Sequence, residues 1–333
     1  MHSSVIRARL YASCLLAVGA GASLSAQGVE SPSYTEVAEW PVPAMSAAGT
    51  AVAWNFGQVA AVATDADGAI VVLHRGAHPL MVFNPTGQFL RSWGDGVISE
   101  GKIVRISPED RVRGGSGYTA VYGPAGCYAC GAHSVRVDPE GNTWVVDAGA
   151  HVVYKVNTEG RVLIQLGTEG VAGAGTDTFN LPTDVAFAPN GDVYVSDGYG
   201  NARVVKYTSD GRYLLQWGER GKGPGEFGLP HNLVVDAEGR VYVTDRDNLR
   251  IQIFDAYGVF LEEWTDVGSV SALAMTGDQQ ILSGGTLRSL EGDVVARLSR
   301  GEGGHGAAVS RAGDVFVAQL SGRVQKFVST VVP

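Results

Sequence analysis

One stretch of this chain occurs twice in near copy. It begins Phe179-Asn180-Leu181-Pro182-Thr183-Asp184-Val185 and continues with Asn190-Gly191-Asp192-Val193-Tyr194-Val195-Ser196-Asp197, Arg203-Val204-Val205-Lys206-Tyr207 and Gly211-Arg212-Tyr213-Leu214-Leu215-Gln216-Trp217. The same order returns as Leu229-Pro230-His231, Glu238-Gly239-Arg240-Val241-Tyr242-Val243-Thr244-Asp245, Arg250-Ile251-Gln252-Ile253-Phe254 and Gly258-Val259-Phe260-Leu261. Each copy alternates short β-branched and aromatic runs with Asn-Gly, Glu-Gly or Asp-Gly turns, the residues that accept positive φ in tight hairpins. Self-similarity at a period of roughly 40 to 50 residues marks a repeat array, and four short strands per copy is its propeller form.

Aligning the small apolar run and the Gly turn of each copy gives six units, starting near Ala60, His133, Thr183, His231, Val270 and His305. The fifth is degraded (Leu273-Ala274-Met275, Ile281-Leu282-Ser283) and the sixth is one strand short. Tyr34-Thr35-Glu36-Val37-Ala38, ahead of the first unit, is a spare strand. The expected fold is therefore all-β, a six-bladed β-propeller whose ring is closed by an N-terminal strand, an arrangement that removes open edges.

Residues 1–26 read as a signal peptide. Arg7 and Arg9 precede the apolar Leu15-Leu16-Ala17-Val18 and a run of small residues, a pattern too short for a spanning helix. That leaves residues 27–333 as a single propeller, exported to the periplasm or the extracellular space. Of the three cysteines, Cys14 falls within the signal, and Cys127 and Cys130 remain. A pair in an oxidising compartment is most simply a disulfide. Cys127-x-x-Cys130-x-x-His133 also has the makings of a metal site. The 46 glycines and 45% hydrophobic content suit a folded chain rich in turns. A net charge of −9 with no basic stripe argues against a nucleic-acid partner, and the lack of a second long apolar segment argues against a membrane span. Gly218 to Gly225 is Gly-rich but lacks the Gly-Lys-Ser/Thr ending of a phosphate loop, so it reads as an inter-blade connection.

Three of the seven histidines, His133, His231 and His305, head the innermost strand of the second, fourth and sixth units. Alternate blades of a six-bladed ring are related by about 120°, so equivalent side chains pointing at the axis converge with threefold geometry. Three neutral imidazoles leave a tetrahedral zinc one open position, the catalytic rather than the structural arrangement. A histidine after a turn can equally cap or pack. Strand one begins where its antiparallel neighbour, strand two, ends, so the loops after strand two share the mouth with the histidines. Those loops carry Arg75, Tyr199 and Arg246. A phenol beside a metal can serve as a base, because a cation lowers the pKa of nearby acids. Two guanidiniums can clamp a carboxylate, or can simply pair with loop aspartates such as Asp245 or Asp247.

The units resemble NHL repeats. The set of His133, His231, His305, Arg75, Tyr199 and Arg246, with Pro182-Thr183-Asp184-Val185, Ser196-Asp197-Gly198-Tyr199, Leu229-Pro230-His231 and Asp245-Arg246, resembles the peptidyl-α-hydroxyglycine α-amidating lyases, over about Gln58 to Phe327. The resemblance implies cleavage of a peptidyl α-hydroxyglycine into an amide and glyoxylate. It implies that the three histidines hold zinc, that Tyr199 helps to remove the substrate hydroxyl proton, and that Arg75 and Arg246 hold the carboxylate. It also implies a calcium on the backbone oxygens of Val62 and Val135. Two positions depart from the pattern. Gly306 follows His305 where the family has an aspartate for calcium, and Gly200 stands where a cysteine forms a disulfide beside the tyrosine. The other expectation consistent with the repeats is an exported, non-catalytic propeller that binds a protein or glycan partner. A lactonase-type calcium propeller needs acidic residues at the strand heads, where this chain has histidines or small residues.

Overall fold

A computed structural model describes residues 33–98, 122–123, 126–127, 131–299 and 303–330. The signal peptide expected at 1–26 lies outside the described residues. So do Cys130 and the side chain of Cys127, and with them the expected disulfide.

The repeats fold as the periodicity predicts. Blade one is Val59–Thr64, Ile70–His74, Leu80–Phe83 and Phe89–Trp93. Blade two is Ala132–Val137, Thr143–Asp147, Val152–Val156 and Val162–Leu166. The two near copies form blade three, Asp184–Phe187, Val193–Asp197, Arg203–Tyr207 and Tyr213–Trp217, and blade four, Pro230–Val235, Val241–Asp245, Arg250–Phe254 and Phe260–Trp264. Each is an antiparallel four-stranded meander. Blade five keeps four strands but shortens the first three, Leu273–Met275, Ile281–Ser283 and Thr286–Arg288, before Val294–Leu298.

Blade six supplies Gly306–Val309, Val315–Gln319 and Arg323–Ser329. Its fourth strand is Ser33–Glu36, antiparallel to Arg323–Ser329 with Tyr34 opposite Ser329 and Glu36 opposite Phe327. The same strand runs parallel to Val294–Leu298, merging blades five and six into one eight-stranded sheet. The expected closure by an N-terminal strand is therefore present, and it covers the outer edge of blade five as well. Among the described residues no helix is long and apolar enough to cross a membrane.

Burial follows strand position. The innermost three strands of blades three and four are buried almost throughout, whereas Tyr213–Trp217 alternates and Phe260–Trp264 is mostly exposed, because the outermost strand has solvent on one side. Blades pack face to face through residues such as Trp144, Phe179, Val185 and Tyr207 between blades two and three, and Phe227, Tyr194, Leu233 and Phe254 between three and four. Gly218 ends the outer strand of blade three at φ +98, where a Cβ would meet the Phe227 ring at 2.6 Å and the Ala202 carbonyl at 2.9 Å. Only glycine fits that crossing.

The Gly-rich segment after it connects blades three and four, as expected. Glu219–Arg220 pairs with Glu226–Phe227, and the Glu226 carboxylate accepts the Lys222 and Gly223 amides at 2.8 Å. The Lys222 and Gly223 amides are thus taken by the loop's own glutamate, and the Gly225 amide by Gln252 Oε1.

Candidate metal centre

The innermost strands of blades two and four carry His133 and His231, and His305 immediately precedes that of blade six. The strand pairing shifts register between Ala132 and Ser134 and between Pro230 and Leu233, and an extra residue of this kind re-aims a side chain. One ligand nitrogen from each ring lies within 4.8 Å of the others. The ring centroids are 4.8, 4.7 and 5.1 Å apart, close to an equilateral triangle.

Each ring is oriented by the next blade. His133 Nδ1 lies 2.5 Å from the Thr183 carbonyl, His231 Nδ1 2.8 Å from that of Ser271, and His305 Nδ1 2.7 Å from that of Ala60. A carbonyl can only accept, so each Nδ1 carries the proton and each Nε2 keeps its lone pair. That is the tautomer and the outer-shell bond of a metal-ligating histidine. All three rings are held neutral. Burial pulls the pKa of His133 and His231 well below 6.5, with His305 and Arg75 adding to the effect on His133, and Arg246 and His133 to that on His231. Burial also lowers His305, to about 4. The donor set therefore fits zinc: three neutral imidazole nitrogens already aimed at one point.

The sign of these shifts gives an expectation for the metal-free protein. The unfolded chain takes up protons as pH falls below 6.5, while the folded His305 stays neutral until about 4 and His133 and His231 are likewise held well below 6.5. Stability present above pH 6.5 is thus lost progressively down to about pH 4. Thermal midpoints of the chelator-treated protein should fall through that window, and by less in a His305→Gln variant.

Tyr199 brings its hydroxyl to 3.2 Å from His133 Nε2 and 3.1 Å from His231 Nε2. Its loop is anchored by the buried Asp197, whose carboxylate accepts the Asn180 amide at 2.9 Å, Asn201 Nδ2 at 2.7 Å and Arg203 Nε at 2.9 Å. Blade four repeats the device. Asp245 accepts the Gly228 and Leu229 amides at 2.8 and 3.1 Å, Asn248 Nδ2 at 2.7 Å and Arg250 Nε at 2.9 Å. The loop so held is the 3₁₀ turn Arg246–Asn248. The Arg246 guanidinium lies over the Tyr199 ring at 5.7 Å, with Nε 3.5 Å from Asp247.

Arg75 donates Nη1 to Gln58 Oε1 at 2.9 Å and Nε to the Ala132 carbonyl at 3.3 Å. Among the described residues its Nη2 is buried without a hydrogen-bond partner and makes no ion pair. Burial weakens its hold on its proton, with nearby Tyr199 acting in the opposite direction. A desolvated guanidinium with a spare donor is suited to receive a carboxylate. The structure thus gathers the three histidines and Tyr199, with Arg246 over the Tyr199 ring, and ties Arg75 to the carbonyl beside His133. Gln58 was not foreseen; it sits just ahead of blade one, and only the fold reveals that it braces Arg75.

Calcium does not fit the residues present. Val62, Val135, His305 and Gly306 line a cavity of only about 10 Å³ below the histidines, and no carboxylate lines it. Calcium takes six to eight oxygens, roughly 2.3 to 2.6 Å away, with carboxylates commonly among them. A Cβ at Gly306 would lie 2.7 Å from Ala61 Cα and 3.0 Å from the Ala60 carbonyl, so no aspartate can stand there without moving the backbone. At Gly200, the space that a cysteine side chain needs is filled by the Asn180 amide, 2.1 to 2.4 Å from the Cβ position.

The NHL repeat family is matched at residues 179–207 and 227–254. The chain is 37% identical over 209 residues to the rat peptidylglycine alpha-amidating monooxygenase, covering 60% of this chain and 20% of that protein. It thus spans about a fifth of the length of that relative. It is 30% identical over 292 residues to a probable peptidyl-alpha-hydroxyglycine alpha-amidating lyase of Caenorhabditis elegans, covering 80% of this chain and 81% of the other. The human NHL repeat-containing protein 3 is 30% identical over 301 residues, with 80% and 78% covered. A streptogramin B lyase structure superposes with a TM-score of 0.55 at 13% identity, covering 84% of this chain and 96% of that one. That likeness is one of fold. The relatives matched along most of both chains, together with the repeats, place this chain in the peptidyl-α-hydroxyglycine α-amidating lyase family of NHL-repeat propellers.

Proposed function

We propose that the chain is a metal-dependent carbon–nitrogen lyase that cleaves a peptidyl α-hydroxyglycine into a peptide amide and glyoxylate, with His133, His231 and His305 holding zinc. The observation that carries this reading is the tautomer lock: three carbonyls from alternate blades tie the Nδ1 atoms, leaving three Nε2 atoms to converge. Zinc bound there supplies Lewis-acid polarisation of the substrate hydroxyl oxygen.

The side chains do the rest. Tyr199, within hydrogen-bond reach of two Nε2 atoms, takes up the hydroxyl proton. Arg75, through its spare Nη2, and Arg246 hold the carboxylate. As the C–N bond breaks, its electron pair stays on the nitrogen, which collects the proton, while the hydroxyl oxygen becomes the aldehyde oxygen of glyoxylate. Atoms balance without water or an oxidant. Export through residues 1–26 and a Cys127–Cys130 disulfide belong to the same proposal, resting on the sequence pattern.

The test is glyoxylate release from a synthetic peptidyl α-hydroxyglycine by the metal-loaded chain. A folded protein that carries stoichiometric zinc and releases no glyoxylate would end the lyase reading and leave a binding propeller. Tyr199→Phe keeps the ring and removes the hydroxyl. It should lower kcat about 10²- to 10⁴-fold, the usual worth of a positioned acid or base, with little change in KM. An unchanged kcat would remove Tyr199 from proton transfer.

A further inference from the structure

Among the residues lining the small cavity that His133 and His305 border, Arg136 is the one with a fixed charge; apart from the histidines and Asn232 the others are small or apolar. Arg136 follows the cavity-lining Val135 on the innermost strand of blade two. Its Nε and Nη2 donate to the two carboxylate oxygens of Asp184 in blade three, at 3.2 and 2.6 Å. Nη2 also donates to Asn232 Oδ1 in blade four at 3.2 Å and to the Leu273 carbonyl in blade five at 3.0 Å. Asp184 is fully buried and Arg136 only 16% exposed. The Asp184 carboxylate further accepts the Ser134 hydroxyl and the Leu233 amide, and Asn232 Oδ1 accepts the Leu273 amide at 2.8 Å. One guanidinium thus ties four of the six blades at the axis. The seam between blades six and one closes by backbone contact at Gly306 and Ala61, where a Cβ at 306 has no room.

These are the tasks a bound divalent cation would perform: neutralising a buried carboxylate and gathering carbonyl and amide oxygens from several blades. Here Asp184 is already neutralised, and the neighbouring cavity has neither the volume nor the charge for an ion. We infer that the Arg136 guanidinium is the fixed cation of this channel, in place of a bound divalent ion, so that the propeller holds its shape and its three-histidine site without calcium. The inference does not depend on which reaction the site performs.

The decisive experiment is calcium titration of the purified full chain, read by elemental analysis and thermal midpoint, alongside Arg136→Met and Arg136→Lys. The wild type should contain no stoichiometric calcium, and its midpoint should be unmoved by millimolar Ca²⁺. Arg136→Met leaves Asp184 buried without its partner and should lower the midpoint by about 10 °C or prevent folding. Arg136→Lys keeps the charge but loses the fork and should fall between the two. About one calcium per wild-type chain, or a midpoint raised several degrees by Ca²⁺, would overturn the inference. So would an Arg136→Met protein as stable as the wild type.

Discussion

Replacing His231 with alanine is expected to abolish zinc retention and to cut glyoxylate release by on the order of 10³-fold or more, because two imidazoles cannot make the tetrahedral three-nitrogen site. The side chain is fully buried and donates to the Ser271 carbonyl. Its loss also leaves that acceptor unsatisfied, a cost of about 1 to 3 kcal/mol. The blade itself rests on the packing of Leu233, Val241, Val243 and Phe254, so the fold should persist. Elemental analysis of the purified variant checks the metal, and circular dichroism checks the fold. His78, an exposed histidine paired with Asp95, supplies the contrast: His78→Ala should keep both metal and activity. Full zinc retention in a folded His231→Ala protein would mean that zinc is held elsewhere.

Asp197→Ala is expected to be the most damaging single change away from the metal. Asp197 is fully buried and pairs with Arg203, itself almost buried. Removing one partner of a buried ion pair typically costs about 3 to 5 kcal/mol because the other charge stays behind unpaired. Arg203 keeps the Ala174 and Thr178 carbonyls, which soften but do not replace a carboxylate. The Asn180 amide and Asn201 lose their acceptor at the same time. These contacts shape the loop that carries Tyr199, so whatever protein folds should also show a lower kcat. Urea unfolding with glyoxylate kinetics on the same preparation separates the two effects. Asp197→Asn, which keeps one carbonyl oxygen, should recover part of the stability. A wild-type urea midpoint in Asp197→Ala would deny the ion pair its role.

Blade number and strand pattern were legible because each unit repeats the same turn chemistry, and a strand so bounded has few other ways to bury its apolar face. The histidine trio was legible for a related reason: register within a repeat is register around the ring. What could not be read was contact between blades. That Thr183, Ser271 and Ala60 present carbonyls to the three rings depends on how one blade seats against the next, and a backbone carbonyl leaves no mark in sequence. Gln58 escaped notice because its partner, Arg75, lies across a hairpin. Arg136 drew no notice in its strand, because its four-blade reach emerges only when the strands surround an axis. Asp245 and Asp247 read as candidate partners for the loop arginines. In the fold Asp245 holds Arg250 on the neighbouring strand, as Asp197 holds Arg203 in blade three, while Arg246 lies over the Tyr199 ring with its Nε 3.5 Å from Asp247.

The strand Ser33–Glu36 completes the blade that is otherwise made last. Tyr34 pairs with Ser329, near the opposite end of the chain. During synthesis the first of these partners leaves the ribosome long before the second exists, so blades one to four, each built from adjacent sequence, can form while the ring is still open. Closure then requires the most distant strand pairing among the described residues, and pairings of that kind are slow because loop entropy must be overcome before any contact rewards it. Until then the outer strands of blades five and six, Val294–Leu298 and Arg323–Ser329, offer bare backbone to any other strand. The interval before closure is when this molecule is most exposed to aggregation, and its yield depends on how quickly its two ends meet.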